Sequence, residues 1–128
     1  SKKDRSINIK RIGYVASEIT KNGGIAICAP IAPYEDDRIY NRTLISKYGG
    51  YLEVFVSTPL EICEKRDPKG LYKLANKGII KEFTGVSDPY EKPKNPDFIL
   101  DSSIIEPNIL INKIIKKLYL IGFLRENI

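Results

Sequence analysis

Of the 128 residues none is histidine, so the usual general base near neutral pH and the commonest metal ligand are both missing. Chemistry here falls to carboxylates, lysine, arginine or the backbone. Asp36 and Asp37 stand where a helix N-terminus wants negative charge, and Asp101 reads as a strand-end residue. Cys28 and Cys63 lie in apolar runs without CxxC spacing, which excludes a zinc site or disulfide framework and leaves them as small hydrophobes. The net charge is +5, and most of it falls between Lys65 and Asn95. There Lys65, Arg66, Lys69, Lys73, Lys77, Lys81, Lys92 and Lys94 outnumber Asp67, Glu82, Asp88 and Glu91. A basic stretch punctuated by glycine and proline suits a surface that meets phosphate or sulfate, and a merely solvated face is the competing reading. Nucleic acid fits poorly, because only the isolated aromatics Tyr72, Phe83 and Tyr90 are interleaved with the lysines.

The elements that must position these residues follow from periodicity. Ile9, Ile12, Ala16 and Ile19 share one helical face between Ile7 and Lys21, and Gly23-Gly24 stops the helix. Gly24–Ala29 is a short continuous apolar run and reads as a buried parallel strand. A second helix follows from Asp36 to about Tyr48, then a second strand, Tyr51–Val56. Thr58-Pro59-Leu60-Glu61 reads as a capping box opening a third helix to Arg66. Residues 67–95 read as a mobile covering segment with a helical turn near Leu71–Ala75. Phe98–Asp101 is a third strand, and Ile109–Leu120 a final helix with the stripe Leu110, Ile111, Ile114, Ile115, Leu118. The alternation predicts an α/β fold with a parallel sheet, whose strand ends would gather Pro30–Asp37, Ser57–Thr58 and Asp101–Ile105 at a ligand edge. With 42% apolar and 29% charged residues the chain reads as one domain. No run nears the roughly 20 apolar residues of a membrane span and no signal segment opens it, so a cytoplasmic protein without a membrane partner is expected.

The stretch Leu52–Tyr90, LEVFVSTPLEICEKRDPKGLYKLANKGIIKEFTGVSDPY, resembles adenylylsulfate kinase, the family that phosphorylates adenosine 5′-phosphosulfate on its 3′-hydroxyl. Asp4–Arg11 is similar to that family's DRxENxRR helix, Ala29–Arg38 to its FISPxRxDR loop, and Tyr90-Glu91-Lys92-Pro93 to its YExP. The resemblance covers essentially the whole chain. It implies a P-loop kinase-like fold that is incomplete here, because the family's first strand, its GxxxxGK[ST] loop and a second strand ending in Asp-Gly-Asp precede the position matching Ser1. The missing first strand would lie between those matching Gly24–Ala29 and Leu52–Val56. The 128 residues then read as a partial domain, marginally stable alone and inactive alone, belonging to a longer protein.

The resemblance also implies the site. Arg5 and Asn8 would hold adenylylsulfate, a guanidinium fork suiting phosphosulfate oxygens. Ile31 and Ala32 would approach it mainly through backbone, Lys69 and Lys73 would meet phosphate, and Phe83 would stack on its adenine. Arg66 would lie over the adenine of ATP, with Ser103 to Ile105 lining that pocket. ATP and Mg²⁺ are the implied ligands, the metal held mostly by the absent part, and no catalytic or metal-binding residue is assigned here. Homodimers are frequent in the family. Ala29–Glu35, Ile12–Thr20 and Gly122-Phe123-Leu124 look more like the kinase-type domain fused to ATP sulfurylase, which in fungi is a regulatory site for 3′-phosphoadenylylsulfate. Pro30, Ala32 and Glu35 depart from FISPxR, whereas Arg66-Asp67-Pro68-Lys69-Gly70 keeps the working kinase's text.

Overall fold

The computed structural model describes residues 1–125, so positions 126–128 of the expected domain lie outside the described residues. In chain order the elements are α1 (Lys2–Lys21), α2 (Glu35–Ile45), β1 (Val54–Val56), α3 (Leu60–Arg66), α4 (Leu71–Asn76), β2 (Phe98–Leu100) and α5 (Pro107–Leu120). They fall into two compact units: Ser1–Tyr51 with Leu71–Lys94, and Leu52–Gly70 with the described residues from Asn95 onward.

The first unit is built on a helix pair. Ser1 caps α1, its hydroxyl accepting from the Asp4 N–H at 3.2 Å, and the helix ends at Asn22 before Gly23, whose φ of 78° needs no side chain in the way. The buried face of α1 is Ile9, Gly13, Ala16 and Ser17; that of α2 is Asp37, Arg38, Asn41 and Ile45. Gly13 lets Asn41 reach the α1 backbone, and the Asn41 amide donates to the Ile9 carbonyl at 3.0 Å. Asp37 corrects the simple helix-end reading. It lies in the first turn of α2 as expected, yet it is only 3% exposed and accepts from the Ser6 hydroxyl at 2.7 Å, with Lys10 Nζ at 3.8 Å. Its charge serves the helix pair rather than the cap.

The strand expected at Gly24–Ala29 is absent. Ile25 is 72% and Ile27 93% exposed, and the segment pairs with no strand among the described residues. A strand exists only through ladder partners, and an apolar run without one is extended chain carrying unsatisfied sequence preference.

The second unit carries the sheet. It has two parallel strands, with Val54 opposite Phe98, Phe55 opposite Ile99 and Val56 opposite Leu100. The ladder continues past both ends, from the Phe98 N–H to the Glu53 carbonyl at 3.1 Å and from the Ser57 N–H to the Leu100 carbonyl at 2.8 Å. The expected strand Tyr51–Val56 is therefore real but shorter. The Thr58 capping box does not form: Pro59 is the N-cap of α3 without a side-chain bond, and Thr58 Oγ1 instead lies 2.9 Å from Ser102 Oγ. In α5, Leu110 is buried and Ile114 and Leu118 half-buried, while Ile111 and Ile115 are exposed, so only part of the expected stripe is covered.

Candidate functional site

In the first unit, the amino-terminal turn of α1 meets a tight loop, residues 83–88. The loop closes on itself. The Gly85 N–H donates to the Asp88 carbonyl at 2.7 Å, the Ser87 and Asp88 N–H groups donate to the Phe83 carbonyl at 3.0 and 3.1 Å, and the Phe83 N–H donates to Ser87 Oγ at 2.7 Å. Gly85 turns the chain at φ 90°, where an L side chain would be strained. The loop presents two groups to Arg5: Nη1 donates to Thr84 Oγ1 at 2.8 Å, and Nη2 forms an ion pair with Asp88 Oδ2. Phe83 is half-buried, its ring edge-on to Tyr72 at 5.2 Å between centroids. Asn8, one turn beyond Arg5 on α1, is exposed.

A second knot lies at the start of α2. Arg38 Nη1 donates to the Ala32 carbonyl at 2.7 Å, Nη2 donates to the Glu91 carbonyl at 2.6 Å and pairs with Glu35, and the guanidinium stands over the Tyr90 ring at 5.7 Å. The Glu35 N–H donates to Glu91 Oε2 at 2.7 Å, and the Glu91 N–H donates to the Pro33 carbonyl at 2.8 Å. Burial pushes the Glu35 carboxyl up, but Arg38 and the Lys94 N–H outweigh it and hold it below the usual carboxylate range. Ala32 sits at φ 43°, a left-handed conformation that costs a residue with a Cβ about 1–2 kcal/mol. Its carbonyl is taken by Arg38, so a ligand approaching by backbone would meet the remaining edge of this turn. Ile31 is exposed beside it.

In the second unit the strand ends do meet, as expected for Ser57–Thr58 and Asp101–Ile105; Pro30–Asp37 belongs to the first unit. The Ser102 N–H donates to Thr58 Oγ1 at 3.1 Å, and Arg66 donates twice to Ser102, Nη1 to Oγ at 2.9 Å and Nη2 to the carbonyl at 2.8 Å. The guanidinium is thus fixed at the carboxyl end of β2. Asp101 accepts from the Ser103 hydroxyl at 2.6 Å and its N–H at 2.8 Å, which holds its carboxyl below the usual range. Ile105 is half-buried and Lys69 exposed.

Arg5 and Phe83 are therefore joined through one loop, and Arg66 is set beside Ser102. Asn8, Ile31 and Lys69 show only exposure. Sequence reasoning did not single out Arg38, Thr84, Asp88 or Ser102. The signal for Arg38 was present, because Ala29–Arg38 and Tyr90–Pro93 were both notable stretches and the structure makes them one knot. Among the described residues no group of three His, Cys, Asp or Glu side chains is placed to hold a metal ion. The described residues do not by themselves form a Mg²⁺ site.

The chain is α/β with a small parallel sheet, and its fold matches that of P-loop kinases. The family model for adenylylsulphate kinase matches residues 1–101, and the chain belongs to that family. It is 46% identical over 125 residues to an adenylyl-sulfate kinase of Gloeothece citriformis, covering 98% of this chain and 69% of that protein. It is 55% identical over 101 residues to a sulfate adenylyltransferase of Gibberella zeae, covering 79% of this chain and 18% of that protein. The chain spans about a fifth of the length of the sulfate adenylyltransferases it matches. Its fold matches the Mycobacterium tuberculosis APS kinase solved in complex with AMPPNP and APS, with a TM-score of 0.87 at 37% identity over 93% of this chain and 69% of that one. A hexameric APS kinase from Thiobacillus denitrificans matches with a TM-score of 0.71 at 37% identity, over 99% of this chain and 20% of that one.

Proposed function

We propose that the chain is the adenylylsulfate-binding part of a kinase that transfers the γ-phosphoryl group of ATP to the 3′-hydroxyl of adenosine 5′-phosphosulfate, in a cytoplasmic protein of sulfate assimilation. The observation that carries this reading is the loop 83–88, which brings an aromatic face, Phe83, and a guanidinium, Arg5, into one structural piece. A nucleotide with an anionic tail needs that pair: a ring for the purine, where stacking is worth about 1–3 kcal/mol, and a fork for the phosphosulfate. Asn8, Ile31, Ala32 and Lys69 complete the substrate side of the reading, and Arg66 and Ile105 the ATP side. Phosphoryl transfer asks the protein mainly to position and neutralise charge, which suits a chain without histidine.

Residues 67–95 serve in this reading as the lid that carries Phe83. The isolated 128 residues hold no GxxxxGK[ST] and are expected to show no turnover. Assembly as a homodimer belongs to the same proposal. In the full-length gene product, Phe83→Ala should weaken adenylylsulfate binding by tenfold or more and leave ATP binding within about twofold, measured by calorimetry. Equal losses for both ligands would defeat the stacking assignment.

A second reading is favoured by the 55% identity to a sulfate adenylyltransferase and by Pro30, Ala32 and Glu35 in the loop before α2. There the chain would be a fused, non-catalytic domain that binds 3′-phosphoadenylylsulfate and regulates the sulfurylase. Phosphorylation of adenylylsulfate by the full-length product would exclude it.

A further inference from the structure

We propose that Asp88, with Thr84, is a positioning residue for Arg5: the loop that carries Phe83 also aims the guanidinium at the anionic end of the nucleotide. This rests on the reading of Arg5 and Phe83 as substrate contacts. An arginine at the start of an exposed helix has a long, freely rotating side chain that a ligand would have to freeze on binding. Arg5 has lost much of that freedom already. Its side chain is 22% exposed and that of Asp88 23%, and Nη2 has no accessible surface, lying against the Asp88 carboxylate. The two terminal nitrogens are held by two side chains of a single loop, Nη1 by Thr84 and Nη2 by Asp88, which fixes both the plane and the direction of the group. With Nη2 buried against Asp88 and one N–H of Nη1 given to Thr84, the second N–H of Nη1 and the Nε–H are the donors left for an incoming oxygen.

The loop is itself stiff enough to transmit position. Thr84 and Asp88 form a parallel bridge, and the carbonyl of Phe83 gathers three N–H groups, from Val86, Ser87 and Asp88, within 3.1 Å. Phe83 is anchored by Tyr72 at the base of that loop. The purine face and the anion fork are thus separated by one rigid turn rather than by two independently moving side chains. A half-buried cation also needs a counter-charge when no ligand is present, and the Asp88 carboxylate supplies it at the same place. Preorganisation of this kind raises affinity by lowering what binding must order.

The test has two readouts. In the full-length gene product without ligand, NMR of the arginine side chains should show the Arg5 ¹⁵Nη signals resolved by slow rotation about Nε–Cζ, and Asp88→Ala should collapse them, with Asp88→Asn intermediate. In the full-length gene product, Asp88→Ala should weaken adenylylsulfate binding about tenfold, Asp88→Asn should recover part of the loss by keeping an oxygen acceptor, and ATP binding should stay within twofold. Thr84→Val should act in the same direction by about threefold. Resolved Arg5 signals that survive Asp88→Ala would overturn the proposal. So would adenylylsulfate affinity that rises in both Asp88 variants, because the carboxylate would then be a competitor for the guanidinium. An Arg5→Ala variant that binds adenylylsulfate normally would instead remove the underlying substrate assignment, while the NMR arm would still decide whether Asp88 orders Arg5.

Discussion

The two units of this chain meet the need for burial in opposite ways. In the first, α1 and α2 are joined by polar ties between residues far apart in sequence, Ser6 to Asp37 and Asn41 to the Ile9 carbonyl, and by cations over tyrosine rings: Lys2 on Tyr34, Lys10 on Tyr40 and Lys21 on Tyr48, at 4.7 to 5.5 Å. In the second, a sheet of two strands leaves Val56 and Ile99 about two-thirds exposed and Ile104 81% exposed. Polar ties have direction and specify geometry within the unit. Apolar burial is non-directional and needs area, and two three-residue strands offer little. In the helix seam of the first unit side chains are therefore placed by contacts the chain itself contains, whereas the sheet of the second, like the run Gly24–Ala29 of the first, shows apolar surface of the kind that a larger sheet covers.

Hydrogen exchange gives the largest expected contrast. The Ser57 and Phe98 amides, which donate across the two-strand ladder, should exchange at least about a hundredfold faster in the isolated chain than the amides of Gly13 and Ser17 in the buried seam of α1. Equal protection would mean that the sheet is stable as it stands, and the distinction between the units would fall.

The second contrast concerns Gly13. A Cβ placed there would lie 2.0 Å from Asn41 Oδ1 and 2.3 Å from its Cγ, so Gly13→Ala must drive a buried amide out of the helix seam. Overpacking and the lost bond to Ile9 together should cost about 3 kcal/mol. In thermal melts the cost should shrink markedly when Asn41→Ala is already present, since the two residues share one space. Additive losses would show that Gly13 matters for some reason other than Asn41.

These contrasts also mark what could be read from sequence. The helices were legible because the 3.6-residue period of Ile9, Ile12 and Ala16 survives whatever else the protein contains. The strand at Gly24–Ala29 was not, because an apolar run states a preference that only a neighbouring strand can realise; Ile27, at 93% exposure, shows that preference unmet. Thr58 was misplaced for a related reason. A capping box is a local pattern, and its hydroxyl was drawn instead to Ser102, 44 residues away. At the candidate site, Arg5 and Phe83 were visible through motif resemblance, whereas Asp88 and Thr84 were not, since nothing in their spacing announces that a loop will fold back onto α1. Long-range pairing was hidden wherever the partner's identity depended on the fold.

The smallest expected effect sharpens the comparison through pH. Both units contain a carboxyl held below its ordinary value, for different reasons: Asp101 by the hydroxyl and N–H of Ser103, two residues away, and Glu35, against the upward push of burial, by Arg38 and the Lys94 N–H. A carboxyl depressed in the folded state contributes stability above its unfolded value, about 4 for either residue, and that contribution is lost as pH falls through the folded value. In the second unit the loss undoes only a turn. In the first it releases Arg38 and the amide of Lys94, 59 residues from Glu35, so acid should loosen a tie between α2 and the strap that follows Tyr90. Two-dimensional NMR between pH 2 and 7 should therefore show the Lys94 N–H shifting with the Glu35 titration, and Glu35→Gln should abolish that shift while the Ser103 N–H still follows Asp101. If Lys94 is unmoved as Glu35 protonates, the tie is not electrostatic in origin and the carboxylate of Glu35 is a bystander to the knot around Arg38.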